Sequence, residues 1–291
     1  FDSARLINQK HPAASAGNLS DAGTVAEDFT AITMGGTYRA GRWSVTLRGE
    51  RRDGELAERR GLTFGAIRQI GEGSMVGSGL LWTRAVASGG AMTENFNAVI
   101  SAAHRPDSSR LAFLTRLEYR SDKVENAVAG ETGPAGRSAL AISGNADSRR
   151  LIGSVSVNWS PRGYSEDHRF QRSEFGLFLG ARYNFDRVER YDIKGWTLLA
   201  GGEARIGLTE KFEFGAVGTV RHSVADGTTS FSLGPQIGFA PGKDMLLTFG
   251  YNIAGFRDRD FSASRTTDKG VFASVRMKFD ADSFSFLGLH R

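Results

Sequence analysis

The sequence lacks several features that would assign it to a familiar class of protein. It has no cysteine among its 291 residues, which excludes a disulfide framework and a thiolate metal site. No run approaches the 18 or more predominantly apolar residues of a transmembrane helix, so a helical membrane protein is excluded. No signal peptide is recognisable and the chain starts at Phe1, so we expect a mature form or a fragment.

Catalytic and metal-binding patterns are missing as well. The five histidines are scattered without the spacing of metal ligands, so neither a metal site nor another cofactor is expected. His222 and Ser223 are adjacent and would face opposite sides of a strand, and Asp167-His168 falls in a connection. Neither Gly-x-Ser-x-Gly nor His-Glu-x-x-His occurs. The sequence therefore predicts a protein that is not an enzyme.

The composition is basic and rich in glycine. The net charge is +5, but the arginines alternate along strand-like segments and form no recognition helix, so nucleic-acid binding is not expected. Charged residues make up 24% of the chain and the mean hydropathy is −0.29, values that also suit a barrel with a polar lumen and polar loops. Glycine, at 37 residues, is well above the roughly 7% average, as expected where strands bend and close.

Alternation of apolar and polar residues is clearest near the end of the chain. Residues 247–253 carry an apolar side chain at every second position, and the pattern resumes from Val271 to Phe279 after a polar loop. Such a period means β-strands whose neighbouring side chains lie on opposite faces. In a soluble sheet the charged face would meet water and the apolar face a core. In a membrane barrel the apolar face meets lipid and the charged face lines a wet lumen.

Three features favour the membrane barrel. The alternation recurs through nearly the whole chain with little helical periodicity, so no second layer is available to cover the apolar face. The segments run to about ten to thirteen residues, close to the nine to eleven that a tilted strand needs to cross a bilayer. Short turns alternate with long polar loops, as in outer-membrane barrels. We therefore predict an all-β fold: one closed antiparallel transmembrane β-barrel domain over residues 1–291.

The pattern predicts thirteen strands, and a fourteenth within residues 1–9 would give the even number usual in bacterial barrels; twelve or sixteen stay open. Residues 1–28 are interpreted as this strand plus a loop, and 281–291 as a tail.

Charged loops are predicted at 53–58 and 186–194, the longest loop at 122–148, and an unusually long periplasmic connection at 160–171. Pro235 cannot donate to a ladder, so its strand is bulged or shorter. The thirteen strands are 29–39, 42–52, 60–70, 74–86, 95–105, 110–121, 150–159, 173–185, 195–208, 212–222, 230–240, 247–254 and 271–279.

The closing hairpin resembles a known group of proteins. Its motifs are Gly250-Tyr251-Asn252, Gly255-Phe256-Arg257-Asp258, Asp260-Phe261-Ser262, Arg265, Gly270 and Arg276-x-Lys278-Phe279-Asp280. They resemble the ends of C-terminal outer-membrane β-barrel domains of large Gram-negative surface proteins, of the autotransporter or porin-like kind. The resemblance implies a multi-pass protein of the bacterial outer membrane, surrounded by lipid and lipopolysaccharide, with an upstream passenger domain or partner subunits. Many such barrels end on the aromatic residue of the last strand, whereas this chain continues to Arg291.

The polar positions of the predicted strands hold more arginines than carboxylates. Either these side chains pair across strands and fill the lumen, or they give it a positive potential that admits anions or an acidic segment. The predicted lumen-facing residues are Arg48, Glu50, Arg84, Arg116, Glu118, Arg120, Arg150, Glu174, Arg182, Glu203, Arg205, Arg221, Arg276 and Lys278.

The apolar positions form the predicted lipid-facing surface, namely Trp43, Leu47, Phe113, Leu117, Val157, Leu177, Leu198, Phe214, Leu247 and Val275. Aromatic residues at strand ends are predicted to form two belts at headgroup level. The periplasmic belt is Tyr38, Trp43, Trp159, Phe212, Phe239 and Phe279, and the outer belt is Tyr119, Tyr183 and Trp196.

Two functions of different classes remain open. The barrel is either the membrane anchor or translocator of a larger surface protein or assembly, or a free-standing porin-like channel for small solutes, with anions as one alternative. A subunit of a larger complex is a third alternative. A signal peptide just before Phe1 would indicate the channel, and a long extracellular region the anchor. The tail Asp282 to Arg291, with Phe284, Phe286 and Leu287, is too apolar to be free and is predicted to be a plug or a partner contact.

Overall fold

The computed structural model describes residues 2–4, 29–106, 109–127, 144–161, 173–209, 211–242, 245–256 and 268–277. Within these residues the strands form one antiparallel sheet, in which each strand pairs with its neighbours in sequence. The strands are β1 (Asp2–Ala4), β2 (Phe29–Ala40), β3 (Trp43–Gly54), β4 (Ala57–Gly71), β5 (Ser74–Ala87), β6 (Met92–His104), β7 (Leu111–Ala127), β8 (Gly144–Trp159), β9 (Glu174–Val188), β10 (Tyr191–Gly207), β11 (Phe212–Ser223), β12 (Thr229–Gly242), β13 (Met245–Asn252) and β14 (Gly270–Met277).

The thirteen longer strands lie where the alternation places them, which confirms the all-β antiparallel fold. Strands β2 to β12 have between 12 and 17 residues, well beyond the five or six typical of soluble sheets. The first strand, β1, has three described residues and pairs with β2 at Asp2↔Ala31. Among the described residues β14 pairs only with β13, so the sheet is not closed there, and closure and final strand number stay predictions.

The two predicted charged loops are wrong, because all but two residues of each segment belong to strands. Strands β3 and β4 are separated by two residues, Glu55 and Leu56, and β9 and β10 by Glu189 and Arg190. Ion pairs link the two strands at both places: Arg51 of β3 lies 3.5 Å from Glu58 of β4, and Arg187 of β9 lies 2.7 Å from Asp192 of β10. These contacts favour pairing of the charged strand ends. The longest loop is also shorter than predicted, since β7 and β8 extend to residues 127 and 144.

The connections fall on two opposite edges of the sheet. The turn rim carries the connections 40–43, 71–74, 104–111, 159–174, 207–212 and 242–245. The loop rim carries 4–29, 54–57, 87–92, 127–144, 188–191, 223–229 and 252–270. The predicted alternation of short and long connections therefore holds only in part: the loop rim also has two-residue turns at 55–56 and 189–190, and the long connection 159–174 joins strand ends on the turn rim.

The proline in β12 lies beside an irregularity of its neighbour β13. Pro235 pairs in register with Ala216 of β11, so the strand is not shortened. On the other side the register changes between Leu233↔Ala254 and Gln236↔Gly250. The N–H of Leu233 donates to the carbonyl oxygen of Ala254. Backbone groups two residues apart on a strand point to the same side, so Pro235, which has no N–H, also has its backbone nitrogen towards β13. The extra residue of the predicted bulge lies in β13.

Candidate functional site: the two faces of the sheet

The ladder registers divide the side chains into two faces. Starting from Leu47, the cross-strand partners are Phe64, Leu80, Ala98 and Tyr119 in turn. We call the face of these residues the apolar face and the opposite one the polar face. Each residue's face follows from its register and from the two-residue period of a strand.

The distribution of burial is the reverse of that in a soluble domain. On the apolar face Leu117 is 51% exposed and Leu177 is 56% exposed, whereas on the polar face Glu118 is 2% and Arg205 is 5% exposed. Soluble proteins bury leucine and leave charged residues in water. All ten residues predicted to face lipid lie on the apolar face, where Leu247 is half-buried and the others are exposed. That lipid covers them stays a prediction.

The registers place the predicted lumen residues on the polar face with one correction. Arg84 pairs with Arg60 and Glu94, which puts it on the apolar face beside Trp82. The assignment was wrong because Leu80, Leu81 and Trp82 are consecutive apolar residues, so the alternation is ambiguous in β5. Arg276 lies opposite Leu246 in the ladder, and Lys278 lies outside the described residues. The residues on the polar face are Arg48, Glu50, Arg116, Glu118, Arg120, Arg150, Glu174, Arg182, Glu203, Arg205 and Arg221.

A buried carboxylate lies at the centre of the polar face of β7. Arg116 Nη2 is 2.7 Å from Glu118 Oε2 and Arg120 Nε is 2.5 Å from Oε1. Asn97 of β6 donates to Oε1 at 3.1 Å. Residues two apart on a strand share a face, which brings the arginines to either side of the glutamate. An ionised carboxylate is tolerated in such a site because it is paired and hydrogen-bonded.

A second cluster, around Arg205 of β10, has the opposite charge arrangement. Its guanidinium forms ion pairs with Glu174 of β9, with Glu203 at 3.0 Å and with Glu213 of β11 at 3.5 Å. Gln236 of β12 donates to Glu203 Oε1 at 2.7 Å. The cluster therefore joins four neighbouring strands. Its arginine is held by carboxylates and adds no net positive charge.

Other polar-face arginines are more open. The side chains of Arg48, Arg116 and Arg120 are 38%, 48% and 32% exposed. Arg52, Arg59 and Asn97 also lie on the polar face but were not predicted to do so. Arg52 is four residues from Arg48, and Arg59 is four residues from Thr63; an even spacing keeps two side chains on the same face of a strand. Arg52 is buried with its guanidinium 3.9 Å from the centre of the Phe29 ring. The polar face thus carries many charged side chains, and its arginines outnumber its carboxylates.

Aromatic side chains of the apolar face pair at two levels. Near the turn rim the ring centroids of Phe212 and Phe239 are 5.1 Å apart, and towards the loop rim those of Tyr183 and Trp196 are 5.0 Å apart. Phe175, which stacks against Trp159, precedes Tyr183 by eight residues of β9, or about 27 Å along the strand. In a strand tilted by about 40° that spacing corresponds to about 21 Å across the membrane, somewhat less than an apolar band about 25 Å tall. Of the predicted belts, Phe279 lies outside the described residues.

One serine–histidine contact lies near the turn rim. Ser74 Oγ is 2.7 Å from His104 Nδ1, and the same hydroxyl donates to the carbonyl oxygen of Glu72 at 3.2 Å. The imidazole packs on Phe113, with centroids 5.3 Å apart. No carboxylate contacts His104 among the described residues, so the orienting member of a triad is missing from this part of the chain.

The described residues contain no cluster of three or more side chains suited to holding a metal ion. The described residues contain no helix long and apolar enough to cross a membrane. No family model matches the sequence, and no curated protein matches it.

Comparison with solved structures identifies the class of fold. The siderophore receptor PirA from Pseudomonas aeruginosa matches 87% of this chain and 49% of its own, at a TM-score of 0.58 and 10% identity. The siderophore receptor PirA from Acinetobacter baumannii matches 78% of this chain and 40% of its own, at 0.53 and 8% identity. The chain is thus an all-β antiparallel sheet similar to those of outer-membrane barrels, and it spans less than half the length of these receptors.

The specific resemblance to an autotransporter barrel is not confirmed. The translocator domain of the autotransporter NalP from Neisseria meningitidis covers 86% of both chains at 14% identity, but with a TM-score of 0.30. That value is too low to support an argument.

Proposed function

We propose that the chain forms a single transmembrane β-barrel domain of a bacterial outer membrane, serving as the anchor or translocator of a larger surface protein or assembly. The observation that carries this proposal is the reversed polarity of the sheet, with exposed leucines on one face and buried charge on the other. A sheet with this pattern is stable only where lipid covers the apolar face. The strand lengths and the two aromatic levels support the same reading.

Cysteine labelling tests the membrane contact, because the natural chain has no cysteine to interfere. Leu117→Cys and Leu198→Cys on the apolar face should react slowly with a water-soluble maleimide in lipid vesicles. Thr63→Cys, on the polar face of β4, is the matched control and should react faster if the lumen is wet. Fast labelling of the two apolar-face cysteines together with protection of the control would show that the faces were assigned the wrong way round.

A second candidate is a channel that prefers anions, and the excess of polar-face arginines favours it. Fixed positive charge along a lumen attracts anions and repels cations. In planar bilayers, an open wild-type barrel should show a reversal potential displaced towards that of chloride. Arg116→Ala with Arg182→Ala should reduce the displacement, whereas Arg68→Ala on the apolar face should not. A barrel that folds into the bilayer and conducts no current supports the anchor instead.

A further inference from the structure

Three arginines meet on the apolar face close to the loop rim. Arg51 of β3 lies directly opposite Arg60 of β4, and Arg60 lies directly opposite Arg84 of β5. Each lies three residues from the loop-rim end of its strand. We call these three residues the arginine triplet. Like charges directly opposite each other destabilise a sheet, so this arrangement calls for an anion nearby.

Among the described residues, carboxylates form ion pairs with two of the three arginines, Arg51 and Arg60. Glu58 Oε1 lies 2.5 Å from Arg60 and 3.5 Å from Arg51, and Asp53 lies 3.1 Å from Arg51. Arg84 has no ion pair within the part of the chain that the structure describes. The carboxylate opposite it, Glu94, accepts a hydrogen bond from the indole of Trp82 at 2.7 Å. The guanidinium of Arg84 is therefore exposed and lies opposite a carboxylate with which it forms no ion pair.

The position of the triplet indicates which anion it meets. Trp82 and Leu62 are the next residues of the same face towards the turn rim from Arg84 and Arg60, and tryptophan marks the headgroup level of a membrane. The triplet thus lies just beyond the apolar band, where lipid phosphates lie. Guanidinium groups bind phosphate oxygens through paired N–H donors, which suits arginine better than lysine at this place.

We propose that the arginine triplet binds the phosphate groups of lipopolysaccharide in the outer leaflet, with Arg84 supplying the guanidinium that forms no ion pair with a carboxylate of the described residues. This inference rests on the proposed function, since it requires the apolar face to be in lipid and the loop rim to be external. The acyl chains of the lipid would then lie against the exposed side chains below the triplet.

Native mass spectrometry of the refolded full chain in detergent micelles, with purified lipopolysaccharide added, tests the proposal. Arg84→Gln should weaken binding about tenfold, the loss expected for one charge-assisted contact. The triple variant Arg51→Gln, Arg60→Gln, Arg84→Gln should bind no better than the wild type binds chemically dephosphorylated lipopolysaccharide. Arg68→Gln is the matched control, because this exposed arginine lies on the same face near the turn rim, 5.1 Å over the Trp43 ring; it should leave binding unchanged.

The outcomes separate this inference from the proposed function. Equal binding by the wild type and the triple variant, or equal binding of phosphorylated and dephosphorylated glycolipid, would overturn the triplet site alone. Displacement of the glycolipid by inorganic phosphate would show a simple anion site and would overturn the lipid assignment. Insertion into vesicles is followed separately by the heat-dependent shift in gel migration, and a wild-type chain that fails to insert would overturn both proposals.

Discussion

Glu118 and Arg205 show how single charged residues are accommodated on the polar face. Glu118 is a carboxylate between two arginines, and Arg205 is a guanidinium among three carboxylates. Both are buried, and both gain partners from the same strand and from adjacent strands. Replacing one member of such a cluster leaves the others in a low-dielectric site without a counter-charge, which destabilises more than the pair itself stabilises.

At the residue scale, the assignment of the two faces predicts opposite results for one substitution at two positions of β7. Leu117 lies on the apolar face and Leu114 on the polar face, and both are 51% exposed. In lipid, Leu117→Arg should lower the free energy of unfolding by about 2 to 4 kcal/mol, as expected for arginine near the bilayer midplane. Leu114→Arg should change it little, because its side chain would enter a wet lumen.

Urea titration of the two variants in lipid vesicles, followed by tryptophan fluorescence, provides the measurement. A larger loss for Leu114→Arg than for Leu117→Arg would contradict the assignment of the faces.

At the scale of elements, the junction of β12 and β13 is tightly packed. Gly234 approaches β13 so closely that a Cβ would lie 2.4 Å from the carbonyl oxygen of Tyr251 and 2.6 Å from Asn252 Oδ1. Asn252 is fully buried, and its amide donates to the carbonyl oxygen of Asp268 at 2.8 Å. The irregularity beside Pro235 therefore packs two backbones together and ties β13 to the segment before β14.

We expect Gly234→Ala to destabilise the protein by about 1 to 3 kcal/mol, the usual effect of forcing an extra methyl group into a packed site. Gly65→Ala in β4 is the matched control, because nothing lies within 4 Å of its added Cβ. Thermal unfolding in micelles compares the two variants. Equal melting temperatures would mean that the β12–β13 contact is looser than the structure shows.

The turn between β11 and β12 predicts a pH dependence. Hydrogen bonds from Ser223 and Thr228 lower the pKa of Asp226 to about 2, from an ordinary value of 3.8. Because the folded-state pKa is the lower one, the stabilisation is present above about pH 4 and is lost as the pH falls towards 2. Asp226→Asn should be less stable than the wild type at pH 6, and the difference should shrink between pH 4 and pH 2. Unfolding midpoints across that range test it; a constant difference would contradict it.

At the scale of the whole molecule, closure is the decisive question. If the sheet lies in a membrane as proposed, β1 and β14 require partners, because unpaired strand edges are not tolerated in the hydrocarbon core. A closed barrel of fourteen strands, spaced about 4.8 Å apart and tilted by about 40°, would be about 28 Å across its backbone. That interior is wider than side chains from the wall fill, so the lumen is either open or occupied by another segment. The tail Asp282 to Arg291, which lies outside the described residues, stays the predicted plug or partner contact.

Closure between the two terminal strands predicts a specific cross-link. Ser3→Cys combined in turn with cysteine at each position from Val271 to Val275 should give at least one intramolecular disulfide on mild oxidation. Ser3→Cys with Thr63→Cys should give none, because β4 lies three strands from β1. Gel migration with and without reductant detects the bond. If no pair cross-links in the inserted protein, further strands complete the barrel.

The sequence by itself determined the strands, because a two-residue period of apolar side chains appears directly in the order of residues. It also indicated that apolar side chains are exposed and charged side chains are turned inward, the reverse of a soluble sheet. The reason is that charged residues alternate with leucines and the sequence has little helical periodicity that could supply a layer to cover the leucines. Two local patterns made the prediction from the sequence wrong. Three consecutive apolar residues in β5 left the face of Arg84 ambiguous, and the charged strand ends at Asp53 and Arg187 resembled loops.

Only the tertiary structure decided which strands bring charges together. The clusters around Glu118 and Arg205 and the arginine triplet depend on the register between strands, and a shift of one residue would move every side chain to the other face. Register is set by turn lengths, such as the two-residue turns at 55–56 and 189–190, and by the irregularity in β13 beside Pro235. These are properties of pairs of strands, so the alternation within any one strand does not contain them.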